Sequence, residues 1–287
     1  LPNQNHTISL RRKLTSGFAV GLITLAALVV TVPLFLILGT VIFRGAAGLN
    51  WAFFTQIPKP IGEEGGGMAN AIIGSVLLLG LASLIGVPLG IGAGVYLAEY
   101  GRNKAGNIVR FTADVLNGVP SIVIGLTAYA MIVVMQKHFS LLAGSVALGI
   151  MMIPTICRTT EEVLLLVPQS IREAALGLGI PKWRTILSVV LRTASAGIVT
   201  SVMLAFARIA GETAPLIFTA LGNQYWNVNL NQPTAALPLQ IYTYAQMPYD
   251  QAHQQAWTGA LVLITMIMLT VILFRFIASR GTIKGAS

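Results

Sequence analysis

Six stretches of this chain are apolar for long enough to cross a bilayer, and nothing else in the sequence limits the architecture as strongly. A helical crossing takes about 20 apolar residues. The runs at about 18–43, 71–98, 112–135, 141–157, 186–210 and 257–278 meet or approach that length. The expected fold class is all-α integral membrane, with six transmembrane helices over 18–278 and short tails at 1–17 and 279–287. Composition agrees, because 9% of residues are charged against about a quarter in soluble domains.

Orientation follows from where Lys and Arg fall. With both termini cytoplasmic, most of the 18 basic residues lie inside, among them Arg11, Arg12, Lys13, Arg102, Lys104, Arg110, Arg158, Arg172, Lys182 and Arg184. Only Arg44, Lys59 and Lys137 then lie outside, as the positive-inside rule requires. The same asymmetry explains the net charge of +9 without nucleic acid, since the bases are scattered over loops beside membrane spans. The basic Arg11-Arg12-Lys13 precedes an apolar run too long for a cleaved signal, so the first span is expected to stay.

Several absences narrow the chemistry. One cysteine, Cys157, excludes an internal disulfide and a thiolate metal cluster. His6, His138 and His253 lie in different polar regions and form no helical pair for a metal. Glu63-Glu64 and Glu161-Glu162 are adjacent, so their side chains diverge and read as solvated surface charge, not a facing acid/base pair. No GxxxxGK[ST] segment is present to cradle a nucleotide. Whatever drives this protein is expected on another chain.

One interval breaks the apolar pattern. Between Arg158 and Arg192 stand Glu161, Glu162, Arg172, Glu173, Lys182 and Arg184, which predicts a water-exposed loop at about 158–185. Ser170-Ile171-Arg172-Glu173 reads as a capping box, in which a hydroxyl and a carboxylate three residues apart satisfy free amides at a helix start. The helix is expected to meet Gly177 and Gly179 after about two turns, with Pro181 opening the next one. Two short helices with a glycine break make a compact knob.

The spans carry breakers. Pro33, Pro88, Pro120 and Pro154 fall within or near the first four, and Gly86, Gly90 and Gly94 are spaced for close helix contact. In the fifth, Ala194, Gly197, Ser201, Ala205, Arg208 and Glu212 recur at helical spacing and stack on one small, polar face. Its apolar residues contribute about −0.3 to −0.6 kcal/mol each, which one central Arg at about +2.5 to +3.5 kcal/mol offsets. That face is therefore expected to avoid lipid. Arg208 and Glu212, four residues apart, can pair, either as a structural ion pair or as the lining of a transport path. A guanidinium offers a forked donor set to a tetrahedral oxyanion. An extracytoplasmic loop is expected at about 213–256, with Tyr225, Trp226, Tyr242, Tyr244 and Tyr249 suited to a membrane interface.

Glu173-Ala174-Ala175, then Gly179, then Val189-Val190-Leu191 resembles the EAA loop of ABC importer membrane subunits, although Arg192 stands where that pattern closes with proline. Four further stretches are more specific: 64–70 (EGGGMAN), 94–101 (GVYLAEYG), 120–126 (PSIVIGL) and 207–216 (ARIAGETAPL). They resemble the PstA-type permease family of phosphate-specific ABC importers over nearly the whole chain after Leu10.

The resemblance implies a MetI-like, type I ABC transporter permease in the bacterial cytoplasmic (inner) membrane. It implies a PstC-like second permease subunit, a PstB-like ATPase dimer and a PstS-like phosphate-binding protein as partners. No cofactor is implied on this chain, with ATP and magnesium on the ATPase. Glu173, Ala174, Ala175 and Gly179 become the ATPase-coupling residues, and Arg208 and Glu212 the residues acting on phosphate passage. A permease for another oxyanion is the alternative within this class. A secondary transporter or channel is a further one, for which Asp114 is the only intramembrane acid to suggest ion coupling.

Overall fold

The computed structural model describes residues 10–60, 62–63 and 65–283. The tail residues 1–9 and 284–287, and Glu64 of the glycine-rich motif, lie outside the described residues. Among the described residues the regular structure is helical. Helix α1 is Leu10–Ala46, α2 Trp51–Thr55, α3 Ala69–Glu99 and α4 Lys104–Gly118. Next come α5 Ser121–Ala128 and, after a π-helical turn at Tyr129–Val133, α6 Val134–Gln136. Helix α7 is Leu141–Leu165, followed by α8 Gln169–Gly177 and α9 Lys182–Thr185. A second π-helical turn at Ile186–Val190 leads into α10 Leu191–Thr193 and α11 Ser195–Ala210. The chain ends with α12 Ala214–Thr219, α13 Leu237–Ala245 and α14 Asp250–Ile283.

Four helices are long and apolar enough to cross a membrane, Lys13–Ala46, Ala69–Glu99, Leu141–Leu165 and Asp250–Phe276. Two bent pairs pass the same test when taken together, Lys104–Gly118 with Ser121–Gln136 at 105° and Lys182–Thr193 with Ser195–Ala210 at 72°, and bring the total to six if each is one span. Five of the six expected segments fall within one of these, and the sixth, 257–278, begins in the last and ends two residues past Phe276, still within α14. The third and fifth, however, are not continuous rods. At the first break Val119 is extended (φ −69°, ψ 132°), because the ring of Pro120 disfavours the helical conformation in the residue before it. At the second there is no proline; the π-turn precedes Ala194 (φ −84°, ψ −1°), and Ser195 Oγ donates to the Arg192 carbonyl.

The fourth crossing differs in length. It runs 25 residues to Leu165, so Arg158 and Glu161 belong to the helix and not to a loop. The loop expected at 213–256 is largely ordered. Helices α12 and α13 fold within it, and Asn223 and Asn227 side chains both donate to the Pro233 carbonyl, at 3.1 and 2.7 Å.

The core is the contact of α3 with α7, and glycine makes it close. A Cβ placed on Gly86 would stand 2.8 Å from Met152 Cβ, on Gly90 2.7 Å from Ile156 Cβ, and on Gly94 2.7 Å from the Cys157 carbonyl. Met152, Ile156 and Cys157 are buried there, together with Leu78, Leu148 and Ile209. Helix α1 is the opposite case. Among the described residues its most apolar stretch has no cover, and its end is fastened where Thr258 Oγ1 donates to the Gly45 carbonyl at 3.0 Å and Arg44 lies 5.3 Å above the Trp257 ring.

Candidate functional site

The knob at 166–185 forms, but not with the expected cap. Helix α8 starts after Pro168, whose extended ψ of 139° fixes the entry, and no side chain caps it. Ser170 thus lies inside the first turn instead of ahead of it, and the capping box is not made. The far end is closed as the glycines suggest: Ile180 N–H donates to Ala175 O at 3.2 Å and Gly179 N–H to Leu176 O at 2.9 Å. This pair of bonds is a Schellman motif, and its left-handed position is Gly179 (φ 77°), where a side chain would be strained. Of the four singled-out residues, Ala175 is buried, while Glu173, Ala174 and Gly179 are exposed.

Arg172 ties the knob to the membrane helices. Its Nη2 donates to Glu99 at 3.0 Å and to the Leu164 carbonyl at 2.7 Å, and its Nη1 to the Val167 carbonyl. Lys182 Nζ donates to the Glu99 carbonyl at 3.0 Å and stands 4.2 Å above the Tyr100 ring. One residue at the end of α3 thereby fastens both short helices. Leu176, Leu178 and Trp183 remain exposed, an apolar rim around Glu173 and Ala174.

Arg208 lies on α11 beyond the 72° bend and is exposed, donating from Nη1 to Thr155 Oγ1 at 3.4 Å. Glu212 lies past the helix end, half-buried, with its N–H on the Ile209 carbonyl. Arg208 and Glu212 are not an ion pair, because α11 stops at Ala210 and the four-residue spacing no longer stacks them. The small residues that share their face pack against α7: Ala194, Ser201 and Ala205 are buried, and a Cβ on Gly197 would stand 2.3 Å from Val163.

Sequence reasoning missed what lies beside Arg208. Helix α4 carries Arg110, Asp114 and Asn117, α7 carries Glu161, Arg158 and Thr155, and the two rows meet rung by rung. Arg110 Nε donates to Glu161 at 2.6 Å, Arg158 Nε to Asp114 at 2.8 Å, and Thr155 Oγ1 to Asn117 Oδ1 at 3.0 Å. Arg158 also reaches Glu161 at 2.5 Å, and Arg110 holds the Leu97 and Gly101 carbonyls at 3.0 and 2.9 Å. Glu161 has only 4% of its side chain exposed, so it is a buried double ion-pair partner and not solvated surface charge. Asp114, the acid that suggested ion coupling, pairs through one oxygen with Arg158. The signal was present as helical spacing on both segments, but placing Arg158 in a loop concealed it.

A family model described as "Binding-protein-dependent transport system inner membrane component" matches residues 86–281. The chain belongs to this family. Within it, a phosphate transport system permease protein PstA of Xylella fastidiosa is 46% identical over 277 residues, covering 96% of each chain. The PstA of Yersinia pestis is 46% identical over 245 residues, 85% of this chain and 83% of that one. A PstA 1 of Mycobacterium tuberculosis is 35% identical over 281 residues, 95% of this chain and 91% of that one. These place the chain among the PstA permeases. A solved inward-facing MetNI methionine ABC transporter shares the fold, with a TM-score of 0.56 at 20% identity, over 74% of this chain and 94% of that one. The chain is thus a multi-pass inner-membrane transport component, not an enzyme, that works with a separate binding protein and a separate ATPase.

Proposed function

We propose that this chain forms half of the translocation pathway of an ATP-driven importer of inorganic phosphate. The observation that carries this reading is the similarity, over 96% of the chain, to a protein named for phosphate transport. Its partners are then a PstC-like second permease subunit, a PstB-like ATPase dimer and a PstS-like phosphate-binding protein. Both termini and the α8–α9 knob face the cytoplasm, in keeping with the distribution of Lys and Arg.

In this reading Glu173, Ala174, Ala175 and Gly179 form the surface that the ATPase engages. The exposed Leu176, Leu178 and Trp183 give that contact apolar area, and the Arg172–Glu99 bond carries displacement from α8 to α3. Arg208 compensates the phosphate charge within the path. An exposed guanidinium on a broken membrane helix is costly against lipid, and a passing oxyanion offers it charge-assisted hydrogen bonds. Glu212, free of Arg208 here, can take it back once the anion has left.

The test is ATP-dependent phosphate uptake by the complete complex in proteoliposomes. Arg208→Ala is expected to abolish uptake without loss of assembly, a drop of about 100-fold for a charge-assisted contact of roughly 3 kcal/mol. Normal uptake by Arg208→Ala in an assembled complex removes the role. A preference for sulfate or molybdate in the same assay replaces phosphate by another oxyanion, and uptake without ATP replaces the importer by a channel or secondary transporter.

A further inference from the structure

Arg208 on α11 and Asn117 on α4 come from different parts of the chain, yet both meet one atom, Thr155 Oγ1 on α7. Arg208 Nη1 lies 3.4 Å from it and Asn117 Oδ1 3.0 Å. The two side chains therefore lie within two hydrogen-bond lengths of each other. A hydroxyl has a single proton and two lone pairs. Since a guanidinium cannot accept, Thr155 receives from Arg208 and gives its proton to Asn117. In the structure it is Oδ1 that faces Thr155, and Nδ2, with two donors, has no partner among the described residues. Most of the five N–H donors of Arg208 are likewise unspent.

Among the described residues, each carboxylate of the rungs below already faces an arginine. Asp114 is tied to Arg158 at 2.8 Å, and Glu161 to Arg110 and Arg158 at 2.6 and 2.5 Å. At the end of the ladder, the donors of Arg208 and Asn117 outnumber the acceptors that face them. Arg208 is exposed and Asn117 half-buried, so neither is closed off inside the core. Such a surplus, from one cationic and one neutral donor group two hydrogen-bond lengths apart, suits a small tetrahedral anion with acceptors on all its corners.

We propose that Asn117 is a second oxyanion-binding residue, its Nδ2 donating to the same phosphate that Arg208 compensates, with Thr155 as the positioning residue that aims both. This rests on the reading of Arg208 as part of the path. A transported anion must be released, and a neutral amide adds direction without the affinity that a second cation would bring. The site then spans α4, α7 and α11, so the bend after Asn117 at Pro120 and the bend before α11 both bear on whether its donors converge.

The test uses the complete complex in proteoliposomes with saturating loaded binding protein, reading phosphate uptake and ATP hydrolysis together. Asn117→Asp keeps an acceptor for Thr155, and so any purely structural role, but puts a negative charge where the anion sits. Asn117→Leu removes acceptor and donors, and Asn117→Ser replaces it if the leucine variant does not assemble. Both variants are expected to lower uptake about 10-fold or more while ATP hydrolysis stays near wild type. Thr155→Ser, which keeps the hydroxyl, is expected to retain uptake. Wild-type uptake by either Asn117 variant, with Arg208→Ala inactive, overturns this proposal and leaves the Arg208 reading standing. Wild-type uptake by Arg208→Ala overturns both.

Discussion

Glu161 and Glu162 are neighbours with opposite fates, and no composition argument separates them. The helix turns about 100° between them, which sends Glu161 inward to Arg110 and Arg158 and leaves Glu162 exposed. Removing a buried carboxylate strands its cations, at a cost of roughly 3 kcal/mol, whereas a surface change stays within about 0.5 kcal/mol. Glu161→Gln is therefore expected to lower the thermal stability of the purified protein in detergent distinctly, and Glu162→Gln to leave it unchanged. Equal melting curves for the two would mean that the ladder contributes nothing. Ser170 and Glu173 teach the same lesson from the other side. Their spacing satisfies a capping box, but Pro168 starts the helix ahead of Ser170 and the hydroxyl has no cap to make. Gly179 was legible because only its own backbone had to be right; the role of Glu161 depended on two arginines, one of them on another helix.

The helices follow the hydropathy, and the breaks in them follow local chemistry only in part. Pro120 marks the 105° bend through its effect on Val119, while the 72° bend at Ala194 has no residue that announces it. Between α3 and α7 the glycine spacing was a direct readout of contact. On α3, a methyl group added at Gly90 enters the space of Ile156, while one added at Gly80 meets nothing within 4 Å. Overpacking costs about 1–3 kcal/mol, and alanine in an open helical position gains up to about 1 kcal/mol over glycine. Gly90→Ala is expected to destabilise the purified protein and Gly80→Ala to leave it as stable or slightly more so. If both behave alike in thermal denaturation, the close approach of these helices is not what holds the core.

At the scale of the whole molecule, the chain divides into one end with the α8–α9 knob and another with the asparagine-braced loop around 221–236. Basic residues crowd the first end, Arg102, Lys104, Arg172, Lys182 and Arg184 among them, and are nearly absent from the second. The proposed orientation, with the knob inside, follows from a membrane that retains positive loops on its cytoplasmic side, and it lets an ATPase that uses cytoplasmic ATP reach Glu173 in its proposed coupling role. The chain provides its own test, because its single cysteine, Cys157, is buried at 1% exposure and gives a silent background to thiol labelling. A Cβ added to Gly177 on the knob would meet nothing within 4 Å, and Val228 in the opposite loop is 71% exposed, so a cysteine is tolerated at either place. In intact right-side-out vesicles, a membrane-impermeant maleimide is expected to label Val228→Cys and spare Gly177→Cys, and inverted vesicles are expected to reverse the pattern. Labelling of Gly177→Cys from outside would put the knob beyond the reach of any ATPase, and the coupling role of Glu173 to Gly179 would fall with it, whatever the family resemblance.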